Sequence, residues 1–459
     1  MGHTSSVTTQ RSIMWFRRDL RLGDHPGLSH ATREDRLTVP VFVIDPNLVR
    51  HSGAPRLAFM YRSLRSLDAS MGGRLIVRHG DPHTVIAHLA AEVGADEVVV
   101  TRDYAPYGRR RDAAVAGSLA EQGVRLVGRD TPYAIAPGGV LKDDGTPYAV
   151  FTPFMRAWRR TGWPVPADDA QVRWLGADRW PSDGVPDDPQ ISCVLPPAGE
   201  RAAHERWAEF VATALDGYDA QRDTPGVAGT SMMSPYLRWG QVHPRQLLHD
   251  LGDSRAHDVY RSELAWREFY AHVMFHKPDS ARENLQQKMN VIQLDTDAAA
   301  LGRFELWALG RTGYPIVDAG MRQLLATGWM HNRVRMIVAS FLVKDLHLPW
   351  QWGARHFMRH LVDGDLASNQ HGWQWSAGTG TDAAPYFRIF NPIAQSERFD
   401  GDGSYIRHWV PELAGLTNKA IHAPWKAAHP LPAGAAAPMV DHAVERTESL
   451  RRYQTAMGR

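Results

Sequence analysis

Three stretches of the chain hold residue types that could do chemistry together. Ser262-Glu-Leu-Ala-Trp-Arg-Glu-Phe-Tyr270 puts Glu263, Trp266, Arg267 and Tyr270 on one helical face by three- and four-residue spacing. That face offers a heterocycle an acceptor and a stacking ring, and it would serve equally as a surface Glu–Arg pair beside a half-buried indole. Gly328-Trp-Met-His-Asn-Arg-Val-Arg-Met336 gathers Trp329, Asn332, Arg333, Arg335 and Met336. Between Arg322 and Arg359 the only acid is Asp345, so the stripe suits a solvated face or the phosphates of a dinucleotide or of DNA. Leu361–Trp375 adds Asp363, Asp365, Asn369, Trp373 and Trp375. The two carboxylates would diverge on a helix, whereas a turn could aim both at one ring edge.

Simpler chemistries drop out. Gly378-Thr-Gly380 and Gly401-Asp-Gly403 lack the third glycine of a dinucleotide fingerprint, and neither a phosphate-loop lysine motif nor H-E-x-x-H occurs. His356 and His360 are four apart but lack a third ligand nearby, so no metal site is expected. The lone Cys193 excludes a disulfide framework and Cys-rich metal sites, and it fits a reducing compartment. No apolar run reaches the length of a membrane span, and the N-terminus lacks a signal-peptide core. Gly2 and Ser6 match a loose myristoylation pattern, read here as chance. A net charge of +2 neither demands nor forbids nucleic acid.

The elements that must position these residues fall into three regions. In 1–130, strand patterns at Ser12–Arg17, Val39–Asp45, Arg74–His79, Glu97–Arg102 and Val124–Arg129 alternate with helical patterns near 55–69, 83–93 and 108–122. This predicts a parallel, Rossmann-like α/β sheet covered on both faces, with Asp45 and Asp103 at the carboxyl ends where ligands gather. Residues 131–200 are rich in proline and glycine and read as a connector rather than a core. From 201 to 459 the pattern is helical, at Glu205–Leu215, Ser262–His276, Val317–Leu325, Arg333–Leu346 and Ala354–Leu361. Of 16 Trp, only Trp15 precedes Trp158, so the indole excess belongs to the later regions and asks for a reason beyond packing.

These residues, with Trp15-Phe-Arg-Arg-Asp-Leu-Arg-Leu22, Gly313–Asp318 and Gly380–Pro392, give a nearly end-to-end resemblance to the DNA photolyase/cryptochrome family. The chain is most similar to class I cyclobutane pyrimidine dimer photolyases. The resemblance implies an α/β antenna domain, a linker, and an all-α domain holding FAD in its reduced, anionic form. It implies that Tyr218, Arg222 and Thr230, Ser231, Met232, Met233 and Ser234 meet the FAD phosphates and ribityl chain, with Arg267 nearby. Trp329, Asn332, Arg335, Asp363, Asp365 and Asn369 would surround flavin and adenine. Arg335, paired with Asp363, would stabilise negative charge on the ring, and Asn369 would face N5. A dimer flipped out of UV-damaged DNA would be hydrogen-bonded by Glu263, packed by Trp266 and Trp375, and lined by Met336, with Arg333 on the DNA backbone. The implied activity is that of a carbon–carbon lyase. Light drives one electron from reduced FAD to the dimer, the cyclobutane ring splits, and the electron returns.

Two departures stand out. The family feeds electrons through three tryptophans. Trp373 and Trp350 match the first two, but Asp297 falls where the third belongs, so Trp307 or Trp352 is expected to replace it. Asn369-Gln-His-Gly372 replaces the usual Asn-Asn-Gly-Gly. The run Asp103–Asp112 resembles the 8-hydroxy-5-deazaflavin antenna version of the fold, with Arg56, Asp103 and Arg238 matching contacts there and Tyr104 and Arg18 as neighbours. A methenyltetrahydrofolate antenna, or none, is the alternative. Glu263, Trp266, Met336 and Asn369 together favour repair over a cryptochrome-type light sensor, as does the short stretch after the last motif. A generic flavin oxidoreductase lacks a nicotinamide signature. The expected setting is a cytoplasmic monomer, associated with the nucleoid when on DNA.

Overall fold

A computed structural model describes residues 10–381, 387–427 and 430–458. The Gly2/Ser6 pattern and positions 382–386 of the last family motif lie outside them.

Five parallel strands form the sheet: β1 (Arg11–Phe16), β2 (Leu37–Ile44), β3 (Ile76–His79), β4 (Glu97–Val100) and β5 (Arg125–Gly128), in spatial order β3-β2-β1-β4-β5. β1, β2 and β4 are buried on both faces, as their unbroken apolar runs require. A two-residue strand, β6 (Arg173–Trp174), adds to β2 from the presumed connector. The longer helices of this half are α1 (Ala54–Ser70), α2 (Pro82–Val93) and α3 (Pro106–Ala120). α2 starts on the Asp81 cap and stops at Gly94, whose φ of 63° lets the chain leave left-handed. The sheet's topological switch lies between β1 and β4, so Arg17 and Arg18 emerge where an α/β sheet usually binds a ligand.

The 131–200 region is not a bare connector. It contains α4 (Phe151–Thr161), whose Phe154, Ala157 and Trp158 are buried against the long helix that carries Glu263. Proline spacing hid it, because three apolar anchors suffice to dock eleven residues on an existing surface.

The rest is helical: α5 (Glu200–Thr213), α6 (Arg255–His276), α7 (Ala298–Ala308), α8 (Pro315–Thr327), α9 (Asn332–Ser340), α10 (Trp350–His360), α11 (Leu366–Ala377) and α12 (His442–Ala456). The helix expected over Arg333–Leu346 ends early. After Ser340 the chain widens into one π-type turn, Phe341–Asp345, closed by Leu346 N–H donating to Phe341 O at 3.1 Å. α12 docks there through buried His442–Asp345 and through His347–Glu445 at 2.7 Å. One apolar core runs from the sheet's underside through α4 to α6, so the two halves share a core at their seam. A second core lies among α7–α11, and a third on the sheet's outer face.

Candidate functional site

α6, α9 and α11 converge on a cavity of ≈ 460 Å³, within the range of small-molecule and cofactor sites. α6 contributes Tyr260, Glu263, Trp266, Arg267 and Tyr270, four of them the predicted face and Tyr260 its continuation one turn earlier. α9 begins on the His331 cap, whose Nδ1 accepts from Arg333 N–H at 3.2 Å; this sets Asn332, Arg335 and Met336 toward the cavity. Burial lowers His331 to about 4, so it is neutral and can accept. α11 begins on Asp365, which accepts from Ser368 N–H at 3.1 Å, and it delivers Asn369, Trp373, Trp375 and Ser376. Asp363 and Asp365 precede that helix in a turn, so both carboxylates reach the cavity.

Arg335 donates to Asp363 Oδ2 at 2.9 Å, while Asp363 Oδ1 is buried with no partner. Trp373 Nε1 and Arg238 Nη1 are likewise buried and unpaired. A lining with one free acceptor and two free donors fits a polar, multi-ring ligand such as FAD. The Asn369 amide nitrogen donates to Ala354 O at 3.1 Å and to Gln370 Oε1 at 2.8 Å, which leaves its oxygen as the acceptor available to a ring N–H. Arg267 donates to Pro132 O and Leu237 O, so it braces the wall from the linker side.

Of the five residues from Thr230 to Ser234, Ser231, Met233 and Ser234 line the cavity; Thr230 and Met232 do not. Met232 sits at φ 53°, a left-handed bend that turns its neighbours inward. Tyr260 Oη donates to Ser231 Oγ at 2.9 Å and fixes this loop to α6. Trp329 is beside the cavity rather than in its wall, donating to Ser234 Oγ at 3.3 Å. Tyr218 and Arg222 line it, and Arg222 pairs with Glu263 at 2.7 Å. Burial pushes Glu263 upward and Arg222 opposes it. Arg333, expected on the DNA backbone, also lines the cavity, pairs with Asp223 at 2.9 Å and covers the Phe399 ring.

Three of the five residues expected at the antenna bond to the stretch from Met358 to Asp365. Arg18 donates to Asp365 Oδ2 at 2.6 Å, Arg238 to Gly364 O at 3.0 Å and Arg56 to Met358 O at 2.8 Å. Arg18, just past β1, and Arg56, on α1, therefore reach across the seam to the turn carrying Asp365 and to the end of α10, while Arg238 meets that turn from within the helical half. Asp365 is held far below the usual carboxylate range: burial alone would raise it, and Arg18, Arg238 and Arg267 overcome that. Asp103 stays on the sheet side, 3.3 Å from Arg111, and Tyr104 packs edge-on against Tyr133 and Phe275.

Three of the tryptophans are linked through ring contacts. Trp373 is edge-to-face with Trp307, their centroids 6.1 Å apart. Trp307 lies 5.6 Å from Phe304, and Phe304 lies 5.7 Å from the half-buried Trp352. Trp350 donates its N–H to Asn284 Oδ1 at 2.8 Å. Asp297, where a third relay indole would stand, caps α7 by accepting from Ala300 N–H at 2.8 Å. Among the described residues no group of three metal-ligating side chains is present, and no helix is long and apolar enough to cross a membrane.

Comparison with known proteins accords with this geometry. Residues 12–171 match the family described as DNA photolyase, and residues 260–455 the FAD binding domain of DNA photolyase. The deoxyribodipyrimidine photo-lyase of Agrobacterium fabrum is 38% identical, with 98% of each chain covered. That of Streptomyces griseus is 39% identical over 97% of this chain and 99% of its own. A class III photolyase from Agrobacterium tumefaciens superposes with a TM-score of 0.91 at 36% identity, covering 100% of both chains. An archaeal photolyase from Sulfolobus tokodaii, solved with two FAD molecules, gives 0.85 at 30%, covering 97% of this chain and 100% of its own. A Synechocystis cryptochrome gives 0.83 at 27%, covering 96% and 99%. Matched along both its α/β and its helical parts, the chain belongs to the DNA photolyase family.

Proposed function

We propose that this chain is a light-dependent DNA repair lyase acting on cyclobutane pyrimidine dimers. The observation that carries the reading is one shared cavity: the Glu263–Trp266 row of α6 and Met336 face the same space as Arg335, Asp363 and Asn369. These residues would hold FAD, which when reduced and photoexcited would supply the electron for splitting the dimer.

The chain's residues have separable roles. Glu263 accepts from the dimer bases, with Arg222 keeping its charge in place. Trp266 and Trp375 pack the flipped bases, and Met336 fills the remaining wall with a group that neither gives nor takes a proton. Arg335 would oppose negative charge on a bound flavin, and the Asn369 oxygen would accept from a ring N–H. Trp373, Trp307 and Trp352, bridged by Phe304, resupply electrons from the surface, which gives part of the tryptophan excess a redox use.

The remaining calls extend this reading. The protein works as a monomer in the cytoplasm and joins the nucleoid on damaged DNA. Its antenna is a deazaflavin held in the sheet domain near Asp103 and Tyr104, and the absorption spectrum of the purified protein separates it from methenyltetrahydrofolate or an empty antenna. The function itself is tested by repair of UV-irradiated oligothymidine in light and in darkness. Dimers should disappear only in light, and dimer persistence with fully reduced protein in light overturns the reading.

A further inference from the structure

Phe151 opens α4, inside the region whose sequence reads as a connector. Its ring stacks on the Trp266 indole with centroids 3.6 Å apart and 7° between planes. A near face-to-face stack is not the arrangement aromatic quadrupoles choose for themselves, since offset and edge-on pairs are preferred. Here the docking of α4 imposes it. Glu268, two residues along α6 from Trp266, accepts from Trp158 Nε1 at 2.5 Å, from Ile135 N–H at 3.1 Å and from Ala134 N–H. Phe154, one turn after Phe151, is buried 5.2 Å from Phe269. With α4 held at these points, Phe151 has little freedom to leave the indole.

The stack has a consequence for the cavity. One face of Trp266 is closed by Phe151, so the indole offers its other face and its edge to a ligand. Tyr270 borders the same ring at 5.4 Å, tilted 44°, and itself stacks on the buried His371 at 5.6 Å. The indole is therefore held between neighbours from two segments before any ligand arrives. A wall whose orientation is already fixed loses less side-chain freedom on binding.

We infer that Phe151 is a positioning residue for lesion recognition: by fixing the plane of Trp266, it sharpens the preference for dimer-bearing over intact DNA. The inference rests on Trp266 packing the flipped dimer, as proposed above. It assigns part of the recognition to a helix outside both the sheet and the FAD-binding domain.

The test is a double-mutant cycle on the FAD-loaded protein, read as the dissociation constant for an intact oligonucleotide divided by that for the same oligonucleotide carrying a thymine dimer. Phe151→Leu, which keeps bulk but loses the ring, should lower that ratio roughly three- to tenfold, the scale of one aromatic pair. Phe151→Tyr should restore it, and intact-DNA binding and FAD content should not move. In a Trp266→Ala background, Phe151→Leu should cause no further loss. Phe151→Met carries the same comparison if the leucine variant does not fold. Equal ratios for the leucine and tyrosine variants, or an undiminished leucine effect without Trp266, overturn the inference. An unchanged ratio in Trp266→Ala alone instead overturns the lesion-wall reading on which it rests.

Discussion

Arg18, just past the end of β1, donates to Asp365, the cap of α11, at 2.6 Å across 347 residues of chain. The contact joins the sheet's switch point to the floor of the cavity. Both side chains are mostly buried, so neither charge has water as a substitute partner. Arg18→Met should therefore cost about 3 kcal/mol, because it removes the cation hydrogen-bonded to the buried Asp365 and leaves only Arg238 and Arg267 to oppose its charge. Denaturant unfolding and the flavin content of the purified variant check this. A variant with wild-type stability and full flavin would show that Arg238 and Arg267 suffice for Asp365.

Glu263 has a different profile, since it faces the lesion rather than the cofactor. Glu263→Ala should weaken dimer binding by roughly tenfold or more, the scale of a lost charge-assisted hydrogen bond, while FAD remains bound. Filter binding and the flavin absorbance of the same sample give both readings. Loss of flavin would mean that the Arg222–Glu263 pair serves the cofactor instead.

The electron supply makes a sharp contrast among indoles. Trp307 is fully buried between Trp373 and Phe304, and Trp352 is the half-buried end of the path. Trp307→Phe should slow photoreduction of oxidised flavin more than Trp350→Phe does, and the Trp307→Phe, Trp352→Phe double variant should nearly abolish it. Illumination with an external reductant, followed by absorbance, measures the rates. Unimpaired photoreduction in the double variant removes this route.

Glu268 predicts a pH dependence. Burial raises its pKa from 4.5 to about 7, and the Ala134, Trp158 and Ile135 donors only partly offset this. Between those values the unfolded chain has released the proton and the folded protein has not. Stability from this group therefore falls as pH rises from about 4.5 to 7 and is level above. Glu268→Gln should remove that component. Melting temperatures at pH 5 and pH 8 should differ more for the parent than for the variant, and equal differences would contradict the assignment.

How much was legible beforehand depended on how local the signal was. All five strands and the α6 face were readable because short apolar runs and a 3.6-residue period are set by immediate neighbours. The partners of Arg18, Arg56 and Arg238 were not, because they lie 347, 302 and 126 residues away and an arginine's sequence context does not name a distant partner. Tyr260 was one turn from a face already identified and could have been added by the same spacing. Phe151 and α4 were obscured by surrounding prolines. Asp297 was noticed as a missing tryptophan, whereas its positive role, capping α7, needed the backbone.

The central claim is that bound, reduced FAD repairs a dimer with no net redox change. Its most direct measurement is an anaerobic one, counting dimers lost and flavin oxidation state together, with UV-irradiated oligothymidine in excess over fully reduced protein. The account predicts many dimers split per protein in light, none in darkness, and flavin still reduced at the end with no reductant consumed. Repair in darkness, repair by the oxidised protein, or one reductant consumed per dimer would contradict it.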